Sequence, residues 1–519
     1  MKTSLSFNRK RTLIYAALFL GIVAVYLSKA TASGLWFDEA IEYFYSSTLR
    51  GPVPGARSDK TIYQRILLTY QPPLYNVLMY GWLSVYDSEF WFRLAGILVT
   101  FFGGAGIYLA LKEITDENWA AAGAAVYLLA GGVSAYALEA GEYHLMMSMV
   151  CWTICFYLRA VRREKGGDIA GFIAFACLSV YSQYGAVFLI VPMYVSLLIQ
   201  FIKQKKKIGL LFVFSLLAAA AAGLLVVFFL LPQMQHQGSM TVSHKPVFAF
   251  GVIDVFVGLA KTAAFTFSGG KWIQPAVLLP AGAFLILALL KKDKIFFRLL
   301  ALFFCSWIAY YALTACSVYG YNGYNSSIMG TANIGGRYSL MFSPLLTVTL
   351  VYGVYCACAR KTEKPARLDT KKLTAAALCL LTVYSAVGVW SILSTKSKED
   401  VREATQVWYA EEAYNSRTLV NQWDDPIFQF YLTHHADYQE DYQANIYLAS
   451  WWEKTNAAQM EKKLKNTGLL EADDFYYITL AAGSFEDHCH VLTELLEEHG
   501  FTVEELYRNA TALFHAVRK

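Results

Sequence analysis

Eleven apolar runs, each about long enough to cross a lipid bilayer, dictate what this chain can fold into. They fall near residues 12–31, 91–111, 118–136, 144–161, 168–184, 185–202, 208–231, 273–290, 295–316, 337–358 and 373–394. A helix needs about 20 such residues to span the hydrocarbon, where every backbone amide must find its partner within the segment. Each run therefore predicts a transmembrane helix. Of 519 residues, 56% are hydrophobic and only 16% charged, a balance that excludes an ordinary soluble enzyme.

The connections between runs alternate in charge. Lys2, Arg9, Lys10 and Arg11 precede the first; Arg159, Arg162, Arg163 and Lys165, then Lys203, Lys205, Lys206 and Lys207, occupy later turns. Lys291, Lys292 and Lys294 follow, and then Arg360, Lys361, Lys364, Arg367, Lys371 and Lys372. All fall on one side if each run crosses once, and excess Lys and Arg mark the cytoplasmic side. The turn at 112–117 is the exception, because Glu113, Asp116 and Glu117 outweigh Lys112. An odd number of crossings predicts a multi-pass cell-membrane protein with its N-terminus in the cytoplasm and its C-terminal domain outside the cell. No small-residue cleavage pattern follows the first run, which reads as a retained helix.

Two domains follow. Residues 1–395 form an all-α polytopic membrane domain, with an outer loop at 32–90 whose amphipathic pieces at 41–49 and 63–82 are expected to lie along the interface. Two further outer stretches, 232–272 and 317–336, are too long for simple turns. Residues 396–519 carry 22 acidic against 11 basic residues, so the rest of the chain holds +16 within a total of +5. This tail predicts helices at 401–414, from Asp424-Asp425-Pro426 onward and at 486–499, with strands at 417–422, 445–449, 474–481 and 512–517. A small extracytoplasmic α/β domain is the result.

The chemistry-bearing residues stand at the outer ends of the spans. Gly34-Leu35-Trp36-Phe37-Asp38-Glu39-Ala40 puts two carboxylates directly after the first run, where ionisable groups mark function more often than not. The competing reading is that they cap an interfacial helix. Glu139 and Glu142 come from another outer loop, on one face if that stretch is helical. Arg337 opens the tenth run, where it either meets a phosphate or anchors at lipid headgroups. Lys245, Lys261 and Lys271 in the 232–272 stretch face the same choice.

Other features are set aside on chemical grounds. Eight of nine cysteines lie in or beside spans and read as structural thiols. His488-Cys489-His490 has no second ligand pair nearby, so no metal site is assigned. Gly103-Gly104-Ala105-Gly106 sits inside an apolar run and predicts close helix packing. Nothing outside the membrane is basic and aromatic enough to bind nucleic acid.

Several segments agree with one family. Trp36-Phe37-Asp38-Glu39-Ala40, Gln71-Pro72-Pro73-Leu74-Tyr75, Arg93-Leu94-Ala95-Gly96, Glu139-Ala140-Gly141-Glu142-Tyr143, Tyr181-Ser182-Gln183-Tyr184 and Arg337-Tyr338 come in its order and spacing. Over roughly residues 10 to 395 the chain resembles polytopic glycosyltransferases of the GT-C fold, in particular the bacterial relatives of protein O-mannosyltransferases and of the lipid A aminoarabinose transferase. The resemblance implies transfer of a sugar from a polyprenyl-phosphate donor to a cell-envelope acceptor (glycan, lipid or protein) on the outer face of the membrane. It implies Asp38 as catalytic base and Arg337 facing the donor phosphate, with Glu139 at a matching position; Glu39, the fallback base, and Glu142 join Glu139 as candidate supporting acids on their placement alone. Gln71, Tyr143, Gln183, Tyr184 and Tyr338 become candidate sugar or donor contacts. The chain departs from the family at Gln71 and Gln183, where histidines are common, and at Gly141, where an arginine is common. Two imidazoles fewer weaken any divalent-metal site, and no cofactor is assigned.

Elementary chemistry fits that assignment. A sugar phosphate has a good leaving group, so transfer needs charge stabilisation at the phosphate and a base for the acceptor proton. The rival readings are a lipid or sugar transporter or flippase, and an envelope assembly protein without catalysis. Transporters place charges near the bilayer midplane and often carry paired repeats, whereas the acids here gather at one edge and no internal repeat is visible.

Overall fold

The computed structural model describes residues 9–47, 60–69, 71–204, 208–237, 252–268, 273–315, 336–358, 370–395, 398–449, 456–481 and 486–519. The chain divides into two compact units. The membrane unit joins Met1–Lys29, Ile66–Leu78 and Arg93–Thr395, and the tail unit joins Ala30–Arg65, Met79–Phe92 and Lys396–Lys519.

In the membrane unit, helix occupies all eleven apolar runs, but not all as single full-length spans. Among the described residues seven helices are long and apolar enough to cross: Glu89–Lys112, Glu142–Arg163, Tyr184–Gln204, Gly209–Gln235, Lys294–Leu313, Arg337–Cys358 and Lys371–Leu393. The run at 118–136 is a pair, Glu117–Leu128 and Gly131–Ala137, bent by 61°. The runs at 12–31, 168–184 and 273–290 contain shorter apolar helices, Leu13–Leu27, Gly166–Ser182 and Ala276–Leu290.

Two expectations for the outer stretches need correction. Within 232–272, Val252–Ser268 is a helix packed into the membrane unit. There Trp307 Nε1 donates to the Thr262 hydroxyl at 3.1 Å and the Ser343 hydroxyl to Thr266 at 3.3 Å. Its apolar part, Val255–Ser268, is shorter than a full membrane span, so the length of the run did not mark it as a helix of the bundle. The piece at 63–82 is broken into Ile62–Ile66 and Leu74–Leu83, because Pro72 and Pro73 have no amide with which to continue a helix.

The basic ends meet as the charge alternation requires. Glu113, the main acid of the exceptional turn, pairs with Arg159 at 3.5 Å and with Arg163. Gln200 donates to the Val161 carbonyl at 2.8 Å and accepts from Arg298 at 2.8 Å. Lys291 donates to the last-turn carbonyls of Cys356 and Ala357, where a cation suits the helix dipole. The interior is tight where the glycines predicted it. A Cβ on Gly103 would lie 2.7 Å from Ser148 Oγ, and the Ser148 hydroxyl donates to the Val99 carbonyl at 2.6 Å. Phe102, Trp152, Phe175 and Phe156 continue that interface as an aromatic column, with successive centroids 4.9, 5.5 and 5.5 Å apart.

The tail unit contains a five-stranded sheet of β1 (Arg417–Asn421), β2 (Ile446–Ala449), β3 (Asp474–Leu480), β4 (Phe501–Arg508) and β5 (Thr511–Arg518). Their order is β2-β1-β3-β5-β4, with β1 parallel to both neighbours and β5 antiparallel to both of its own. Leu419, Phe475, Tyr477 and Phe514 form a core with Met460 and Leu464 of the Ala457–Asn466 helix and Leu492 and Leu496 of the Glu486–Glu498 helix. The sequence anticipates four of these strands but neither the Ala457–Asn466 helix nor β4, an edge strand whose Glu504, Glu505 and Arg508 keep it largely in water.

Candidate functional site

Asp38 lies in the tail unit, at the second position of the Phe37–Ser46 helix. The chain enters that helix through an extended Trp36, and the first amides of any helix need acceptors from outside it. Glu39 reaches back to accept from the Trp36 amide at 3.3 Å, while Glu399 accepts from the Phe37 amide at 2.8 Å. Asp38 is half-buried and Glu39 buried. Glu39 thus has the capping role that the sequence offered as its alternative.

The approach to Asp38 is pinned on both sides. The Leu35 amide donates to the Tyr431 hydroxyl at 2.6 Å, and that hydroxyl donates to Glu89 at 3.1 Å. Arg402 donates to the Thr31 carbonyl at 2.9 Å and pairs with Glu89 at 3.6 Å. The Phe37 ring packs on Trp423 at 4.7 Å, and Lys398 Nζ sits 3.6 Å over the Trp36 ring. Burial, with the charges of Asp38 and Glu39, pushes the Glu399 carboxyl up to about 7 against the opposing pull of the Phe37 amide. Asp424 is wholly buried, its Oδ1 accepts from Thr511 at 3.3 Å, and Oδ2 takes no hydrogen bond among the described residues. Burial first, then Glu399, raises its pKa well above the usual carboxylate range.

The remaining motif segments belong to the membrane unit, where two buried residues link them. Around His144, the Tyr75 ring packs edge-on at 5.6 Å, and a Cβ on Gly96 would lie 3.3 Å from the imidazole and 2.8 Å from the Ala137 carbonyl. Only glycine fits at 96. Gln233 donates to the carbonyls of Ile66 and Gln71 at 3.1 and 2.7 Å, and accepts from the Tyr184 hydroxyl at 2.9 Å. Gln233 follows a single wide turn at Val226–Leu230, which relieves the helix where Pro232 has no amide to return. Gln71 Oε1 is buried and takes no hydrogen bond among the described residues. Gln183 accepts from the Gly185 amide and so caps the short turn at Tyr184–Ala186.

Glu142, Tyr143, Arg337 and Tyr338 form a second group. Tyr143 packs edge-on against Tyr136 at 5.1 Å and against Tyr338 at 6.5 Å. Glu142 and Arg337 both act electrostatically on its hydroxyl, and the Arg337 guanidinium lies 5.6 Å from the Tyr338 ring centroid. Glu142 opens the Glu142–Arg163 helix, whereas Glu139 stands in the bend before it. The two acids therefore do not share a helical face, because Gly141 is extended at φ −175° between them. Lys261 lies half-buried on the Val252–Ser268 helix instead of in an outer loop, and Lys245 and Lys271 lie outside the described residues. His144, Gln233, Glu399 and Arg402 were not singled out from the sequence. Phe37 and Glu399 are 362 positions apart, and no local pattern joins them.

Residues 70–228 match the family model of dolichyl-phosphate-mannose-protein mannosyltransferase. The crystal structure of apo ArnT from Cupriavidus metallidurans superposes with a TM-score of 0.55 at 14% identity, over 98% of both chains. Its form bound to undecaprenyl phosphate gives 0.52 at 12%, with the same coverage. The chain shares the GT-C fold of these structures. The arabinofuranosyltransferase AftD from Mycobacteria shares that fold at a TM-score of 0.52 and 12% identity, over 97% of this chain and 40% of its own. No curated protein matches the chain by sequence. Among the described residues no group of three or more His, Cys, Asp and Glu side chains is placed to hold a metal.

Proposed function

We propose that this GT-C protein is an inverting glycosyltransferase, moving a sugar from a polyprenyl-phosphate donor to a cell-envelope acceptor on the outer face of the membrane. The reading is carried by the mannosyltransferase match over 70–228, within which the Gln71–Tyr75, Gly96, His144 and Tyr184 positions are linked through two buried side chains. A relative crystallised with undecaprenyl phosphate supports the carrier class.

In the proposed reaction an acceptor hydroxyl attacks the anomeric carbon as the bond from that carbon to the phosphate oxygen breaks. Asp38 takes the hydroxyl proton, and polyprenyl phosphate leaves with its charge held by Arg337, whose planar fork suits two phosphate oxygens. Glu39 and Glu399 hold the helix end beneath Asp38. Gln71, Tyr143, Tyr184 and Tyr338 are the proposed sugar and donor contacts, and Glu139 and Glu142 the supporting acids.

The test is incubation of the purified protein with a panel of undecaprenyl-phosphate-linked hexoses and pentoses, following sugar release or transfer and the configuration of the product. Inverted product from one donor is the expected result. Donor flipping in proteoliposomes without release from any member would favour the transporter instead. Topology is tested separately: a reporter after Lys519 should read extracytoplasmic, and reporters at Lys206 and Lys364 cytoplasmic. A cytoplasmic tail would reverse the proposed face.

A further inference from the structure

We propose that Glu399 is a positioning residue for Asp38, holding the first turn of the Phe37–Ser46 helix so that the C-terminal segment fixes the attitude of the acid. The inference rests on reading Asp38 as the base. Four observations carry it. Glu399 Oε2 accepts the Phe37 amide at 2.8 Å, one residue before Asp38. Lys398 covers the Trp36 ring at 3.6 Å, Trp423 packs on Phe37 at 4.7 Å, and Tyr431 receives the Leu35 amide at 2.6 Å. Three successive residues before Asp38 are therefore fixed by side chains from 398–431, and the tie at Phe37 is made by a carboxyl to the backbone.

That acceptor is sensitive to protonation. The charged groups acting with Glu399 are Asp38 and Glu39 on the helix, Lys398 beside it and Asp424 at the start of the Asp425–Thr433 helix. With the carboxyl pushed up to about 7, raising the pH through neutrality converts a neutral acceptor into a charged one at the positive end of a helix dipole. A charge-assisted hydrogen bond is the stronger, so the helix start tightens as pH rises.

Two variants of the full chain in detergent micelles, Glu399→Ala and Glu399→Gln, separate the roles. In Glu399→Ala, hydrogen exchange of the Phe37 amide should quicken about tenfold, and turnover of undecaprenyl-phosphate mannose, or of whichever panel sugar the parent consumes, should fall about tenfold with unchanged KM. Glu399→Gln keeps an acceptor, so Phe37 should stay largely protected while the rise in rate near pH 7 disappears. Parental exchange at Phe37 in Glu399→Ala, or a parental pH profile in Glu399→Gln, would overturn the proposal. An unimpaired Asp38→Asn protein would instead refute Asp38 as the base, leaving the Phe37 exchange result to report the tie itself.

Discussion

The two units hold their motif residues by opposite means. In the membrane unit His144, Gln233 and Tyr184 are placed by neutral contacts: ring edges, amide-to-carbonyl bonds and a glycine where no side chain fits. In the tail unit the segment before Asp38 is held by carboxylates, a guanidinium and an ammonium: Glu39, Glu399, Glu89, Arg402 and Lys398. Neutral fixation suits surroundings that exclude water, where an unpaired charge is expensive. Charged fixation has a consequence that neutral contacts lack, because burial brings the Glu399 carboxyl to about 7, where it titrates near neutrality. The geometry around Asp38 should therefore depend on pH, and that around His144 and Gln233 should not.

The largest expected effect tests the charged side of this contrast at the proposed base. Asp38→Asn keeps shape and removes the proton acceptor, so turnover should fall by about two to four orders of magnitude with donor affinity little changed. Near-normal turnover in a folded protein would move the assignment to Glu39. Next comes a charged residue of the membrane unit, Arg337. Arg337→Ala should lose about 2–4 kcal/mol of transition-state stabilisation, and Arg337→Lys clearly less. Binding of sugar-free undecaprenyl phosphate, measured by calorimetry, should weaken in parallel; parental affinity in both variants would leave Arg337 as a headgroup anchor.

A third prediction sharpens the titrating character of the tail unit. The folded-state pKa of Asp424 is raised above its unfolded value, so the native state binds the extra proton and stability falls as pH rises from about 4 toward that folded value. The slope from this one group is at most about 1.4 kcal/mol per pH unit. Asp424→Asn should flatten the decline of Tm between pH 5 and pH 8, whereas an unchanged slope would mean that the carboxyl is ionised throughout. The smallest effects compare two glycines of the membrane unit. Gly103→Ala forces a Cβ to 2.7 Å from Ser148 Oγ and should cost about 1–3 kcal/mol. A Cβ at the extended Gly141 meets nothing within 4 Å, so Gly141→Arg should change stability by about 0.5 kcal/mol or less in thermal unfolding.

What the sequence determined by itself was whatever rests on local composition. Long apolar runs must become helices in lipid, basic ends must gather, and Gly103 must face a close neighbour; the ties of Glu113 to Arg159 and Arg163 follow from that logic even though the turn looked anomalous. Ordered short motifs were enough to point to the GT-C fold. Run length misled where a segment's partner decided its state, as in Val252–Ser268, too short to read as a span, whose threonines find their hydrogen bonds on Trp307 and Ser343. Only the tertiary structure decided that residues 30–65 and 79–92 join the tail in one compact unit, and that Gln233 links Gln71 to Tyr184. The tie from Glu399 to Phe37 is of the same kind. A backbone amide presents the same donor whatever residue carries it, so nothing in the letters around position 37 could name an acceptor 362 positions away.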